Sequence, residues 1–131
     1  MNPPVHGLIL FAHGAREPAW AQPFEAVARR AAELAPHAHV RLAFLELMQP
    51  DLRAAATDLA IQGCTQVAVV PVFLGTGSHL RRDLPALVDA IRAEHTAVQW
   101  QLGPAIGEHP AVIEAIALAA SGFVGTGGNS D

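Results

Sequence analysis

The sequence predicts an α/β domain built on a four-stranded parallel sheet, order 2-1-3-4, with helices on both faces. Three observations predict it. Extended apolar runs alternate four times with segments whose apolar residues recur every three or four positions, the pattern that builds a parallel sheet. The first and third runs, Gly7-Leu-Ile-Leu-Phe-Ala12 and Val67-Ala-Val-Val-Pro-Val-Phe-Leu74, are apolar throughout. Strands covered on both faces read this way, whereas the second and fourth runs alternate and belong at the edges. Prolines and glycines stand at the junctions, where the chain must turn. At 131 residues one domain is expected, over residues 1–122, followed by a flexible glycine-rich tail over 123–131.

Taken in order, strand one covers Val5 to Ala12. Pro18 suits the first helical position, and Trp20, Phe24, Val27, Ala28, Ala31 and Leu34 then form one apolar face that Pro36 ends. Strand two runs from His39 to Leu45, with Val40, Leu42 and Phe44 on one side and Glu46 at its carboxyl end. Pro50 opens helix two, with Leu52, Ala55, Ala56 and Leu59 inward and Gly63 just past its end. In strand three Pro71 cannot donate to a ladder. Regular pairing is therefore expected to end near Val70, with Pro71 to Leu74 extended beyond it. Pro85 marks the start of helix three, which carries Leu87, Val88 and Ile91. Strand four runs from Ala97 to Leu102. Pro110 opens helix four, with Val112, Ile113 and Ile116 inward. The order 2-1-3-4 resembles flavodoxin-like winding. Strands one and three are then neighbours, the chain reverses direction between them, and ligands bind at the carboxyl edge of such a switch point.

Composition excludes several functions. The formal net charge of −4 gives no footprint for nucleic acid. No apolar run approaches the roughly 20 residues of a membrane span, so no membrane association is expected. The opening Met-Asn-Pro-Pro lacks the basic region and cleavage site of a signal peptide. The single cysteine, Cys64, excludes an intramolecular disulfide and a cysteine zinc cluster. It fits a reducing cytoplasm as a small buried residue. All eight basic residues are arginine, a side chain suited to bidentate carboxylate binding.

The candidate chemistry sits at the switch point. His13 follows strand one in His13-Gly14-Ala15-Arg16, and His79 follows strand three in Gly75-Thr76-Gly77-Ser78-His79. Small residues there let a ligand approach the backbone closely. With Glu46 from strand two, two imidazoles and a carboxylate form a borderline ligand set for a divalent first-row metal. They can equally accept protons near neutral pH. One loop histidine would more often pack or cap; two converging on a switch point favour function. Arg16, Arg81 and Arg82 lie on the same rim and could clamp an acidic ligand, although surface arginines are common. Asp83 is expected to cap helix three, and His109 to pack at the start of helix four. His6, His37, His39 and His95 fall on the opposite rim and read as solvated. The loop Gly75 to Ser78 is neither a phosphate-binding P-loop nor a nucleophile elbow. His13-Gly14 shares two residues with the Arg-His-Gly of histidine phosphatases, but Ala12 replaces the arginine, which argues against a phosphohydrolase.

At these residues the sequence resembles the small CbiX-type sirohydrochlorin chelatases of the class II chelatase superfamily. The matching pieces are His13-Gly14-Ala15-Arg16, Phe44-Leu45-Glu46-Leu47 with Gln49-Pro50, Pro71 to His79, Asp83-Leu84-Pro85 and Gly107-Glu108-His109-Pro110, spread over about residues 5 to 120. Ala15 stands where family members often have serine. The resemblance implies insertion of a divalent metal into a sirohydrochlorin-type tetrapyrrole, in cobalamin or siroheme biosynthesis. The metal would be cobalt first, with iron or nickel as alternatives, and no organic cofactor is expected. It implies that His13 and His79 handle the metal and accept protons, assisted by Glu46. Gly75 to Ser78 and the rim arginines would meet the substrate. Longer relatives carry two such domains in tandem, so a homodimer is implied, with its contact expected near the loop Gly75 to Asp83. The competing expectation is a metal carrier or sensor that uses the same two histidines without catalysis.

Overall fold

β1 (His6–Ala12) pairs in parallel with β2 (His39–Phe44) on one side and β3 (Gln66–Pro71) on the other, and β3 pairs with β4 (Gln99–Leu102). The order β2-β1-β3-β4 is the expected one. The computed structural model describes residues 2–125. Residues 126–131, most of the expected tail, lie outside the described residues. The register sets Ala12 beside Phe44 and Phe11 beside Pro71. The carboxyl ends of the first three strands are therefore level, and the loops that follow them meet on one rim.

Pro71 belongs to β3 itself. The Val72 N–H donates to Phe11 O at 2.8 Å, on the β1 side. Alternation turns the nitrogen of Pro71 toward β4, whose pairing has already ended at Leu102 opposite Val69. The missing donor therefore costs no ladder bond.

One face of the sheet is well covered. Ile9, Phe11, Val67 and Val69 pack against α2 (Leu52–Ile61) and α3 (Ser78–Glu94) through Leu52, Leu59, Leu84, Val88 and Ile91, all buried. Each such side chain contributes about 1.5–3 kcal/mol by leaving water. The other face is covered thinly. Ala12, Ala21 and Phe44 form a small buried cluster there beside the buried Leu10, and α1 (Gln22–Leu34), which follows a 3-10 turn at Pro18–Ala21, buries none of its own residues.

Helix three departs most from expectation. It begins at Ser78, so Pro85 lies inside it rather than at its start. The apolar stripe explains this: Leu80 and Leu84 continue the line of Val88 and Ile91 upstream of the proline and reach the core. Their burial offsets the roughly 3 kcal/mol cost of an interior proline. Asp83 therefore does not cap the helix; Gly77 stands at the cap, with no side-chain bond. Helix two begins one residue after its cap, Asp51, whose carboxylate accepts the Ala54 N–H at 2.8 Å; Pro50 precedes the cap. At its other end Gly63 follows the last turn, and the Gly63 and Cys64 N–H groups return to Ala60 and Leu59 carbonyls.

α4 (Pro110–Ser121) starts as expected, capped by His109, whose Nδ1 accepts the Ala111 N–H at 3.1 Å. Its expected inward side is not inward: Ile113 is 55% and Ile116 47% exposed, and only Val112 is half-buried. Among the described residues no helix is long and apolar enough to cross a membrane.

Candidate active site

His13 leaves the end of β1 with its ring exposed on one side and stacked on Phe73 on the other, centroids 4.2 Å apart and tilted by 31°. Phe73 is buried in the loop after β3 and rests in turn against Phe11, 6.1 Å away. The ring thus joins the histidine of one strand to the loop of its neighbour. An aromatic inside an apolar run reads as core, and this role of Phe73 escaped the sequence. Its position just beyond a strand end, next to a neighbouring strand's histidine, was the available signal.

The backbone of Glu46 is brought directly to this histidine. The Glu46 N–H donates to His13 O at 3.0 Å and the Leu45 N–H to Ala12 O at 2.8 Å. Gly14 makes the approach possible: its φ is 95°, and a Cβ there would lie 1.9 Å from Glu46 O. Leu47 then takes a positive φ of 67°, rare for a branched side chain, and turns the chain directly after Glu46. Both Glu46 and Leu47 are exposed.

His79 is the second residue of α3 and is exposed. The first amides of a helix lack intrahelical partners, and its positive dipole end favours negative charge. Gly75, Thr76 and Gly77 lead into this end, and Ser78 begins it. Arg81 folds back to donate to Thr76 O at 3.3 Å. The loop is held from the far side by the 3-10 turn Ile106–Glu108: the Gly107 N–H donates to Phe73 O at 2.9 Å. A Cβ on Gly107 would lie 2.1 Å from Leu74 O, so only glycine permits this contact.

Around these groups the rim is cationic and apolar. Arg30, Arg41, Arg53 and Arg92 are paired with carboxylates, whereas Arg16, Arg81 and Arg82 make no ion pair among the described residues. Arg16 lines a cleft of about 350 Å³ with Leu47 and Gln49, and Arg81 one of about 570 Å³ with Thr76, Leu80 and Glu108. Leu45, Leu47 and Leu74 are 37%, 58% and 73% exposed. Among the described residues no group of three or more histidine, cysteine or acidic side chains is placed to hold a metal ion, so His13, Glu46 and His79 do not close into a cage. Of the four histidines on the opposite rim, three depart from simple solvation. His6 meets His37 edge to face, and His95 Nε2 lies 3.2 Å from Thr57 Oγ1.

A protein family described as CbiX matches residues 7–121. The chain is 35% identical over 81 residues to the sirohydrochlorin cobaltochelatase of Methanopyrus kandleri, a match covering 62% of this chain and 57% of that protein. A crystal structure of a cobalamin (vitamin B12) biosynthesis CbiX protein from Marinobacter aquaeolei superposes with TM-score 0.80 and 35% identity, over 91% of this chain and 97% of that one. The sirohydrochlorin chelatase SirB from Bacillus subtilis, in complex with cobalt, superposes with TM-score 0.71 and 25% identity. That superposition covers 89% of this chain but 50% of SirB. The chain therefore spans little more than half the length of the Methanopyrus protein and half of SirB. With the family matched across nearly all of the described residues and the same fold in a CbiX structure, the chain belongs to the CbiX family.

Proposed function

We propose that this chain inserts a divalent metal, cobalt first, into sirohydrochlorin or a closely related tetrapyrrole. The observation that supports the reading is that β1 and β3 are adjacent and end level on one rim, with His13 directly after β1, His79 in the first turn of the helix that follows the β3 loop, and the Glu46 backbone bonded to that of His13. The names of the relatives support it.

Metallation exchanges two pyrrole N–H protons for one dication, so two protons must leave as the metal enters. Imidazoles exposed on the rim can take those protons and pass them to water. The same nitrogens, or the Glu46 carboxylate, can replace part of the metal's hydration shell on its way to the macrocycle. An open arrangement suits this task, because a metal that is substrate must be released. Sirohydrochlorin bears many carboxylates, for which the unpaired Arg16, Arg81 and Arg82 are ready partners. Thr76, Ser78 and the glycines beside them leave room for a flat ring, and Leu45, Leu47 and Leu74 offer its face apolar contact. The reading includes a homodimer and a cytoplasmic setting, with iron and nickel as competing metals.

A carrier or sensor would have to retain its ion, and the described residues offer no three-ligand cage for that. Incubation of the purified chain with sirohydrochlorin and Co²⁺, followed by absorbance, separates the two. Insertion converts the free-base spectrum to that of the metal complex, and simple retention of the ion leaves it unchanged. Competition among Co²⁺, Fe²⁺ and Ni²⁺ in the same assay then ranks the metals.

A further inference from the structure

We propose that Phe73 is a positioning residue for metal insertion: its ring sets the plane of the His13 imidazole and leaves both imidazole nitrogens available to metal and proton. The role rests on the one proposed for His13. A histidine that holds a metal or accepts a proton ordinarily has its ring oriented by a hydrogen bond to the nitrogen that does not react. His13 has no such bond. Its backbone carbonyl accepts the Glu46 N–H. Among the described residues no hydrogen bond or ion pair reaches its side chain, whose one ring contact is Phe73.

Orientation therefore falls to the stack. With centroids 4.2 Å apart and planes inclined by 31°, Phe73 covers one face of the imidazole. The ring edge, where both nitrogens lie, stays outside such a face contact, and His13 is exposed.

A plate directs another ring only if it is itself fixed. Phe73 is buried, and Phe11 packs against it with centroids 6.1 Å apart. The Val72 N–H just before it bonds Phe11 O at 2.8 Å, and the Phe73 carbonyl accepts the Gly107 N–H at 2.9 Å. Gly107 comes this close because it lacks a Cβ, which would lie 2.1 Å from Leu74 O. The loop bearing Phe73 is thus clamped between β1 and the turn that precedes α4. Packing in the core accounts for an apolar side chain here, and leucine would serve it. Only a flat ring also gives the imidazole a face to lie on.

The consequence is kinetic. Without the plate an exposed imidazole samples three staggered χ1 wells and two χ2 orientations, about six arrangements. With one of them competent, kcat falls by roughly sixfold, and slack in position adds to the loss. The tetrapyrrole meets other rim groups, so its KM changes little.

The test sets Phe73→Leu against wild type in the sirohydrochlorin and Co²⁺ assay and in proton NMR of the full chain, with the His13 ring protons assigned by their disappearance in His13→Ala. In the wild type the Phe73 ring current should hold those protons upfield. In Phe73→Leu they should return to the positions of an ordinary exposed histidine, while kcat falls about five- to tenfold at unchanged KM. In the His13→Ala background the same substitution should cost nothing further, because its effect passes through that imidazole. If Phe73→Leu loses its circular-dichroism signature, Gly107→Ala serves instead. Its Cβ must displace Leu74 and the loop, so ring-current shift and kcat should fall together. Wild-type ring protons at ordinary positions, an unchanged kcat in the folded variant, or an equal loss with and without His13 would each overturn the proposal. Wild-type insertion rates in His13→Ala defeat the reading of His13 and the proposal with it; the ring-current shift, which needs no turnover, then shows whether the stack alone survives.

Discussion

At His13 the ring is held by an aromatic plate beneath it and by a neighbour's backbone beside it, while its outer face stays open to solvent. That combination fixes the position of the imidazole without burying it, as the proposed proton-accepting role requires. Glu46 differs: its backbone is anchored, but its side chain is free. Glu46→Gln removes a charge and a proton acceptor while keeping shape, so kcat should fall by on the order of tenfold or more with little change in tetrapyrrole affinity. Steady-state kinetics with a binding titration checks this, and a defect confined to binding would contradict it. The rim positions of His13 and Glu46 were legible in the sequence because each directly follows an apolar run, and that of His79 because four small residues lead to it from the run of β3. Phe73 was not, since its apolar surroundings hide a stacking role. Nor was the positive φ of Leu47, which no residue type announces.

At the scale of elements, caps and pairs locate the helices that carry these groups. Asp51 caps α2, and Asp51→Ala should cost about 1 kcal/mol, measured by chemical denaturation. Arg53 on α2 and Glu94 at the end of α3 tie the two helices, with an N–O distance of 2.8 Å. The hydrogen bond from Arg53 lowers the Glu94 carboxyl below its ordinary value of 4.5. A lowered carboxylate stabilises the fold above its unfolded pKa, and that contribution disappears as pH falls through the lowered one. Glu94→Gln should therefore lower Tm at pH 7 and have progressively less effect below about pH 4; an equal loss at both ends would contradict the pairing. Helix three was misplaced from sequence because Pro85 is a strong start signal on its own. The stripe through Leu80 and Leu84 that overrides it depends on which face the core occupies.

Across the whole molecule, strand order was legible because it follows from counting: apolar runs are central, alternating runs are edges, and the loops after β1 and β3 must meet. The fate of α4 was not. Its apolar spacing predicts an inward face, but whether that face meets its own sheet or another chain is a tertiary fact that periodicity does not encode. The functional account itself rests on one claim, that the two histidines at the switch point perform metal insertion. The most direct measurement is the rate at which sirohydrochlorin takes up Co²⁺, followed by absorbance, with wild-type protein, with His13→Ala, with His79→Ala and without protein. The account predicts acceleration by the wild type and a loss of at least about 100-fold in each variant, with circular dichroism unchanged because both side chains are exposed. Wild-type rates equal to the protein-free rate, or near-normal turnover in either folded variant, would contradict it.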